Sequence, residues 1–173
     1  MYFQDKDILI RNIAPEDPEI ITRQEVAQGW EQEVDKYLMR LRDHQEGKCI
    51  SLVCEYQGNV AGYINVYLKP EFGPYAGNGL PEIVDFGVLE KYRRRGIGSR
   101  LMDAAEEIAG HYADTVYLGV GLYDGYGSAQ RMYVKRGYIP DGRGVYYGDK
   151  VAWPYENYRN DDDFCLYLFK KLR

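Results

Sequence analysis

Apolar residues along the chain keep two different rhythms, and the switches between them lay out the elements. Ile8-Leu9-Ile10-Arg11-Asn12-Ile13 is a short apolar run that predicts a strand, and Ala14-Pro15-Glu16-Asp17-Pro18 ends it and prepares a helix start. From Glu19 to about Glu46 the spacing turns helical, with Trp30, Val34, Tyr37, Leu38 and Leu41 three and four apart, and Gly29 is placed to split the segment into two helices. Cys49 to Tyr56 and Val60 to Leu68 read as two strands of a hairpin turned by Gln57-Gly58-Asn59. Pro70 to Pro81 is too rich in Pro and Gly for a regular element, and strand character returns at Glu82-Ile83-Val84-Asp85-Phe86-Gly87-Val88-Leu89. Gly87 within that strand predicts a bulge or the close approach of a ligand. Gly98 to about Gly110 carries one apolar helical stripe of Leu101, Ala105 and Ile108, and Thr115 to Val120 is the next strand. Ser128 to Arg136 predicts a short helix closed by Gly137. Val145-Tyr146-Tyr147 opens another strand, and Phe164 to Leu172, apolar on both faces, reads as an interior final strand.

With no repeat and no linker, 173 residues are expected to fold as a single domain spanning residues 1–173. The 45% hydrophobic and 28% charged content is that of an ordinary globular protein, and a formal charge of −5 argues against nucleic acid as a partner. Cys49, Cys54 and Cys165 are odd in number and lack the paired spacing of a zinc site, with His44 and His111 as the imidazoles, so no metal is implied. Reduced, buried thiols in a cytoplasmic protein are the expectation, without a signal segment or membrane span. The 18 tyrosines point to a pocket or interface with amphipathic walls.

The chemistry concentrates where a strand runs through Tyr92-Arg93-Arg94-Arg95-Gly96-Ile97-Gly98-Ser99 into a helix. Free N–H groups at a helix start attract anions, glycines let phosphate oxygens approach the main chain, and arginines add charge and paired donors. A pyrophosphate suits this cradle. A P-loop would need Lys-Ser or Lys-Thr after its last glycine, where Ser99-Arg100 stands, and a dinucleotide fingerprint would need a small residue where Leu101 stands. Gly119-Val120-Gly121-Leu122-Tyr123-Asp124 fails the same count at Asp124. The segment resembles instead the Arg/Gln-x-x-Gly-x-Gly/Ala signature of the GCN5-related N-acetyltransferase (GNAT) superfamily, with Arg93, Gly96 and Gly98 in its fixed places. Ser128-Ala129-Gln130-Arg131-Met132-Tyr133-Val134-Lys135-Arg136-Gly137-Tyr138 resembles that family's later Ala-x-x-Leu-Tyr-x-x-x-Gly-Phe helix.

The resemblance extends in element order from Ile8 to Phe164. It implies an α/β (α+β) GNAT fold, a mixed, mostly antiparallel twisted sheet of about six to seven strands flanked by about four helices, with acetyl-CoA as co-substrate. In the family a splay beside the fourth strand, here Glu82 to Val88, admits the pantetheine arm. Val88 and Leu89 would then meet the arm, with the Val88 N–H as oxyanion donor. Arg93, Arg94, Arg95, Gly96, Ile97, Gly98 and Ser99 would hold the pyrophosphate. Tyr133 stands where relatives place a tyrosine that protonates or hydrogen-bonds the sulfur, against the alternative of a core tyrosine near Met132 and Tyr138. Many relatives carry an Asn where Tyr126 stands, so that contact is absent or replaced by Ser128.

An attacking amine must first lose a proton, which asks for a carboxylate or a water chain. Glu82 coincides with the base of histone-acetylating relatives, and Asp85 is the second candidate. Strand alternation puts Glu82, Val84, Phe86 and Val88 on one face and Asp85 on the other, barring a shift at Gly87. Either acid could instead be a salt-bridged strand end. Trp30, Tyr37, Tyr63, Asn65 and Tyr67 fall where relatives build the acceptor pocket, and Asp161-Asp162-Asp163 reads as a solvated loop end or a cation-attracting rim. The expected activity is acetyl transfer from acetyl-CoA to a primary amine of a small molecule or peptide. An acetyl-CoA sensor or inactive partner domain is the alternative, and transfer of a longer acyl chain a further one. A homodimer is plausible from the apolar final strand and the tyrosines.

Overall fold

Pro18 in the first turn and the acids Asp17 and Glu19 beside it favour a helix start, and the computed structural model, which describes residues 1–173, begins α1 at Asp17–Ala27 there. The expected helical stretch is broken after Gln28, and α2 spans Val34–Gln45. The strands before and after these helices are β1 (Phe3–Gln4), β2 (Ile8–Asn12), β3 (Cys49–Tyr56) and β4 (Asn59–Tyr67), followed by β5 (Glu82–Val88) and α3 (Ile97–Gly110). Beyond them lie β6 (Thr115–Gly121), α4 (Gly127–Lys135), β7 (Ile139–Pro140), β8 (Tyr146–Tyr147), β9 (Lys150–Val151) and β10 (Phe164–Lys171).

The chain divides into two compact units, Met1–Leu68 with Val84–Ile108 and Lys69–Ile83 with Ala109–Arg173, so β5 starts in the second and continues in the first. In the first unit β1, β2, β3 and β4 pair antiparallel in chain order, and β5 follows β4. The β3–β4 turn uses Gln57 and Gly58 at φ 50° and 77°, the left-handed pair that a two-residue hairpin requires. Ile13, Ile21, Tyr37, Val53, Val60 and Tyr63 form the core beneath α1 and α2. Leu101, Met102, Ala105 and Ile108 of α3 are also buried. In the second unit β6 pairs antiparallel with β10, which also carries β7 and β8, and β8 pairs β9. Glu82 and Ile83 of β5 pair in parallel with Tyr117 and Leu118 of β6. β10 is thus flanked on both sides, as its apolar faces predict.

The architecture is the expected mixed α/β one, with four helices and a mostly antiparallel sheet, but with ten strands where six to seven were expected. The excess lies in β1, β7, β8 and β9, each two residues long and too short to imprint an alternation. β5 corrects a second expectation. The left-handed residue in this strand is Asp85, at φ 47°, so the regular alternation breaks there and not at Gly87. Gly87 is needed for a different reason: a Cβ on it would lie 2.6 Å from Cζ and Oη of Tyr63, so the close approach is by that ring.

Candidate active site

The cradle has the geometry its sequence demands. Gly96 holds φ 79°, and Arg100 N–H donates to its carbonyl at 3.1 Å, closing the first turn of α3. The N–H groups of Gly96, Ile97, Gly98 and Ser99 therefore have no carbonyl partner within the helix. A Cβ built on Gly96 would meet no atom within 4 Å, so the approach to these groups is open. Ile97 is buried and anchors the turn, while Arg93, Arg94, Arg95 and Ser99 are exposed and Gly98 is half-buried.

Aromatic rings hold the arginine heads. The Arg93 guanidinium lies 5.8 Å from the Trp30 ring, Arg95 4.9 Å from Tyr56 and Arg100 4.4 Å from Phe3. Arg93 Nε also donates to Val88 O at 3.4 Å, and Glu90 N–H donates to Gln28 Oε1 at 3.0 Å, tying the loop before α3 to the end of α1. Trp30, in the α1–α2 loop, borders a groove of about 650 Å³ with Val26, Glu31, Gln32, Glu33 and Lys36. The residues thus suit an elongated anion laid on a helix start, as the pyrophosphate of a coenzyme is.

Two polar clusters crowd the strand beside the cradle. Glu25, fully buried on the face of α1 that also carries Ile21, accepts hydrogen bonds from Tyr37 and Tyr63, whose hydroxyls are 3.1 Å apart. Burial first pushes both phenols up, followed by the hydrogen bond to Glu25 for Tyr37 and by the neighbouring Tyr37 and Glu25 for Tyr63, so they remain donors. Asp85 is held by Arg40 and, at 3.4 Å, by Lys36. Arg40 also donates to the Tyr67 hydroxyl, which donates to Asp43. Asn65 accepts from Ser51 at 2.6 Å and donates to the carbonyls of Val84 and Asp85 at 3.3 Å each.

The expected acceptor-pocket residues therefore divide. Tyr63, Asn65 and Tyr67 do share one face of β4, but Asn65 is 2% exposed and grips the backbone of β5, while Tyr37 and Tyr63 bind Glu25. Trp30 alone of the five lines the groove. Leu89 is buried, and its N–H donates to Ala61 O at 2.9 Å, so that donor is already engaged by the protein. Val88 is half-buried next to it.

In the second unit, the Glu82 carboxylate accepts from the Tyr117 hydroxyl at 3.3 Å, with Tyr167 and Cys165 close enough to feel its charge. Tyr133, on α4, is 6% exposed, its ring 5.7 Å from that of Tyr138, and burial pushes its phenol well up. A phenol so shifted gives up its proton less readily and suits hydrogen-bond donation better than full protonation. Ser128 is exposed in the first turn of α4. Tyr126 turns to Asp162, which also accepts from Tyr123, so this member of the acidic run is a local hydrogen-bond acceptor.

Glu25 and Arg40 were missed by the sequence reading. The signal for Glu25 was an acid four residues after Ile21, on the buried face that also carries Asp17 and Pro18. Arg40 left no signal, because its partner Asp85 lies 45 positions away.

Many solved structures are similar to the chain, three of them as follows. Ard1 from Thermoplasma volcanium is 23% identical with a TM-score of 0.69, covering 95% of this chain and 97% of that one. An N-acetyltransferase from Staphylococcus aureus Mu50 is 18% identical with a TM-score of 0.71, covering 97% and 100%. Arabidopsis thaliana Naa50, in complex with the bisubstrate analogue CoA-Ac-MVNAL, is 18% identical with a TM-score of 0.66, covering 95% and 99%. At these identities the likeness is one of fold. No curated protein matches the chain in sequence. The model of the acetyltransferase (GNAT) family matches residues 10–138, which take in the whole cradle and the helix that carries Tyr133, and the chain belongs to that family.

Proposed function

We propose that residues 1–173 act as one N-acetyltransferase domain that moves the acetyl group of acetyl-CoA to a primary amine by direct attack in a ternary complex. The observation that carries this reading is the open start of α3, where four N–H groups beside ring-held arginines suit a pyrophosphate. Arg93, Arg94, Arg95, Gly96, Ile97, Gly98 and Ser99 would hold the coenzyme there, and its thioester supplies the activated acetyl group. The Val88 N–H would stabilise the oxyanion.

Glu82 is the favoured base. Its carboxylate faces a phenol, whereas the Asp85 carboxylate is committed to Arg40 and Lys36. Glu82 would take one proton from the incoming ammonium, the amine nitrogen would bond to the acetyl carbon, the carbon–sulfur bond would break, and the second proton leaving the nitrogen would pass through water to the departing thiolate. Tyr133 would donate a hydrogen bond to the departing sulfur. The Naa50 complex, with coenzyme joined to a peptide, favours a peptide amino terminus among the acceptors. Three free, buried cysteines suit a reducing compartment such as the cytoplasm, and no helix is long and apolar enough to cross a membrane.

A thiol-release assay with acetyl-CoA across peptides, polyamines, amino acids and aminoglycosides tests the reading. Turnover on an amine supports it. Coenzyme binding without turnover on any of them would make the chain a coenzyme sensor instead.

A further inference from the structure

Tyr75 sits in a box of aromatic side chains in the second unit. Its ring centroid is 4.8 Å from Phe169, 5.4 Å from Tyr117, 5.8 Å from Tyr167 and 6.4 Å from Tyr146. The four surrounding rings come from β6, β8 and β10, and β10 is hydrogen-bonded to both of the others. Tyr75 comes from the Pro- and Gly-rich segment between β4 and β5, which has no strand or helix.

Two carboxylates serve the box. The Tyr75 hydroxyl donates to Asp141, which also accepts from Tyr146 at 2.7 Å, and Tyr117 donates to Glu82. Burial raises the Asp141 carboxyl, but the hydrogen bonds from Tyr146 and Tyr75 outweigh it and hold the group below its ordinary value, so it is charged at neutral pH. Ring faces and anionic oxygens are together a receptor for a cation. The ring now seated there is neutral.

The three wall tyrosines and the occupant differ in how they are held. Tyr117, Tyr146 and Tyr167 are 0%, 1% and 8% exposed, whereas Tyr75, like Phe169, is half-buried and Phe72, three residues before Tyr75, is 83% exposed. The N–H groups of Ala76, Gly77 and Asn78 donate to Gly73, Pro70 and Tyr75, so these bonds close within the segment and can travel with it. Gly73, Gly77 and Gly79 punctuate it on either side of Tyr75.

We infer that residues 69–79 are a lid, anchored at its far end where the Pro81 carbonyl accepts from the Tyr117 N–H at 3.2 Å, and that Tyr75 occupies the seat of an alkylammonium group, the cationic end of an acceptor amine. The identity of the occupant as acceptor rests on the amine-acetylating reading above; the box and its lid do not. Lid opening would withdraw the Tyr75 ring, and the ammonium would take its place among Tyr117, Tyr146, Tyr167 and Phe169 with Asp141 and Glu82 as counter-charges. Closure without an amine would then keep this aromatic surface from water.

Hydrogen exchange of residues 69–79, measured with n-propylammonium chloride, sodium chloride or 1-propanol, tests the lid directly. Propylammonium should speed exchange of the segment at least about threefold, with no such effect from salt or the neutral alcohol. Y75F keeps the ring but loses the bond to Asp141, so its lid should respond at lower propylammonium concentration. D141N should respond at higher concentration while still unfolding cooperatively. An exchange pattern indifferent to propylammonium in both the wild type and Y75F would overturn the inference, as would equal responses to propylammonium and 1-propanol. Thiol release, run in parallel, separates the two readings. A responsive lid without turnover removes the acetyl-transfer role and keeps the receptor; turnover with an unresponsive lid removes the receptor and keeps the enzyme.

Discussion

The two acids of β5 stand three residues apart, and their surroundings could hardly differ more. Asp85 lies among cations, tied to Arg40 and Lys36, in a cluster that also engages Tyr67 and Asp43. Glu82 lies among phenols, accepting from Tyr117 with Tyr167 nearby. Neutralising a carboxylate held by two cations leaves partly buried charges facing a neutral group. The contrast supports the proposed division, with chemistry at Glu82 and architecture at Asp85, although strand position alone would have allowed either.

The sharpest way to break this contrast is kinetic. E82Q should lower turnover by about 10²-fold or more, the usual worth of a general base, with coenzyme affinity by calorimetry unchanged. D85N should keep turnover within about threefold of the wild type. If D85N matched E82Q in lost turnover at equal coenzyme affinity, the assignment would reverse. The structural half of the contrast predicts that D85N destabilises the fold by about 1–3 kcal/mol, read as a lowered thermal midpoint. G87A should cost a similar amount, about 1–3 kcal/mol, because the new methyl would collide with the Tyr63 ring, and chemical denaturation measures it.

A smaller effect concerns pH. The folded-state carboxyl of Asp141 is lowered, so its stabilising contribution is present above the unfolded value of about 3.9 and is lost as pH falls through the folded one. D141N should therefore lower stability at neutral pH and flatten the acid limb of the melting curve. The least effect is expected from thiol reagents. Burial, first among the causes, pushes Cys54 up to about 12 and Cys49 and Cys165 up to about 11. Native protein at pH 8 should thus label far more slowly than denatured protein, in which all three thiols titrate.

The long elements were readable because their signals are local. Pro18 starts α1, Gln57-Gly58 turns the hairpin, and Gly96 opens α3, each through its own backbone preference. The kink of β5 was placed at the wrong residue because its cause is tertiary. Asn65 grips the carbonyls of Val84 and Asp85 and Arg40 draws in the Asp85 side chain, and neither contact leaves a trace in the local pattern. The glycine-punctuated start of α3 was legible from its residue types. Glu25 and Tyr75 were not, one an acid on a helix face that mixes apolar and acidic residues and the other in a segment without periodicity. Asn65 was assigned to the acceptor pocket because alternation names a face but not what covers it.

The ring-held arginines of the cradle have a consequence for the speed of coenzyme capture. Arg93, Arg95 and Arg100 rest on Trp30, Tyr56 and Phe3, which restricts their rotamer freedom. Under the proposed coenzyme role, an incoming pyrophosphate would meet a landing site that needs little rearrangement. Association should therefore be governed by diffusion and by the attraction of exposed positive charge, and should slow as added salt shortens the reach of that charge.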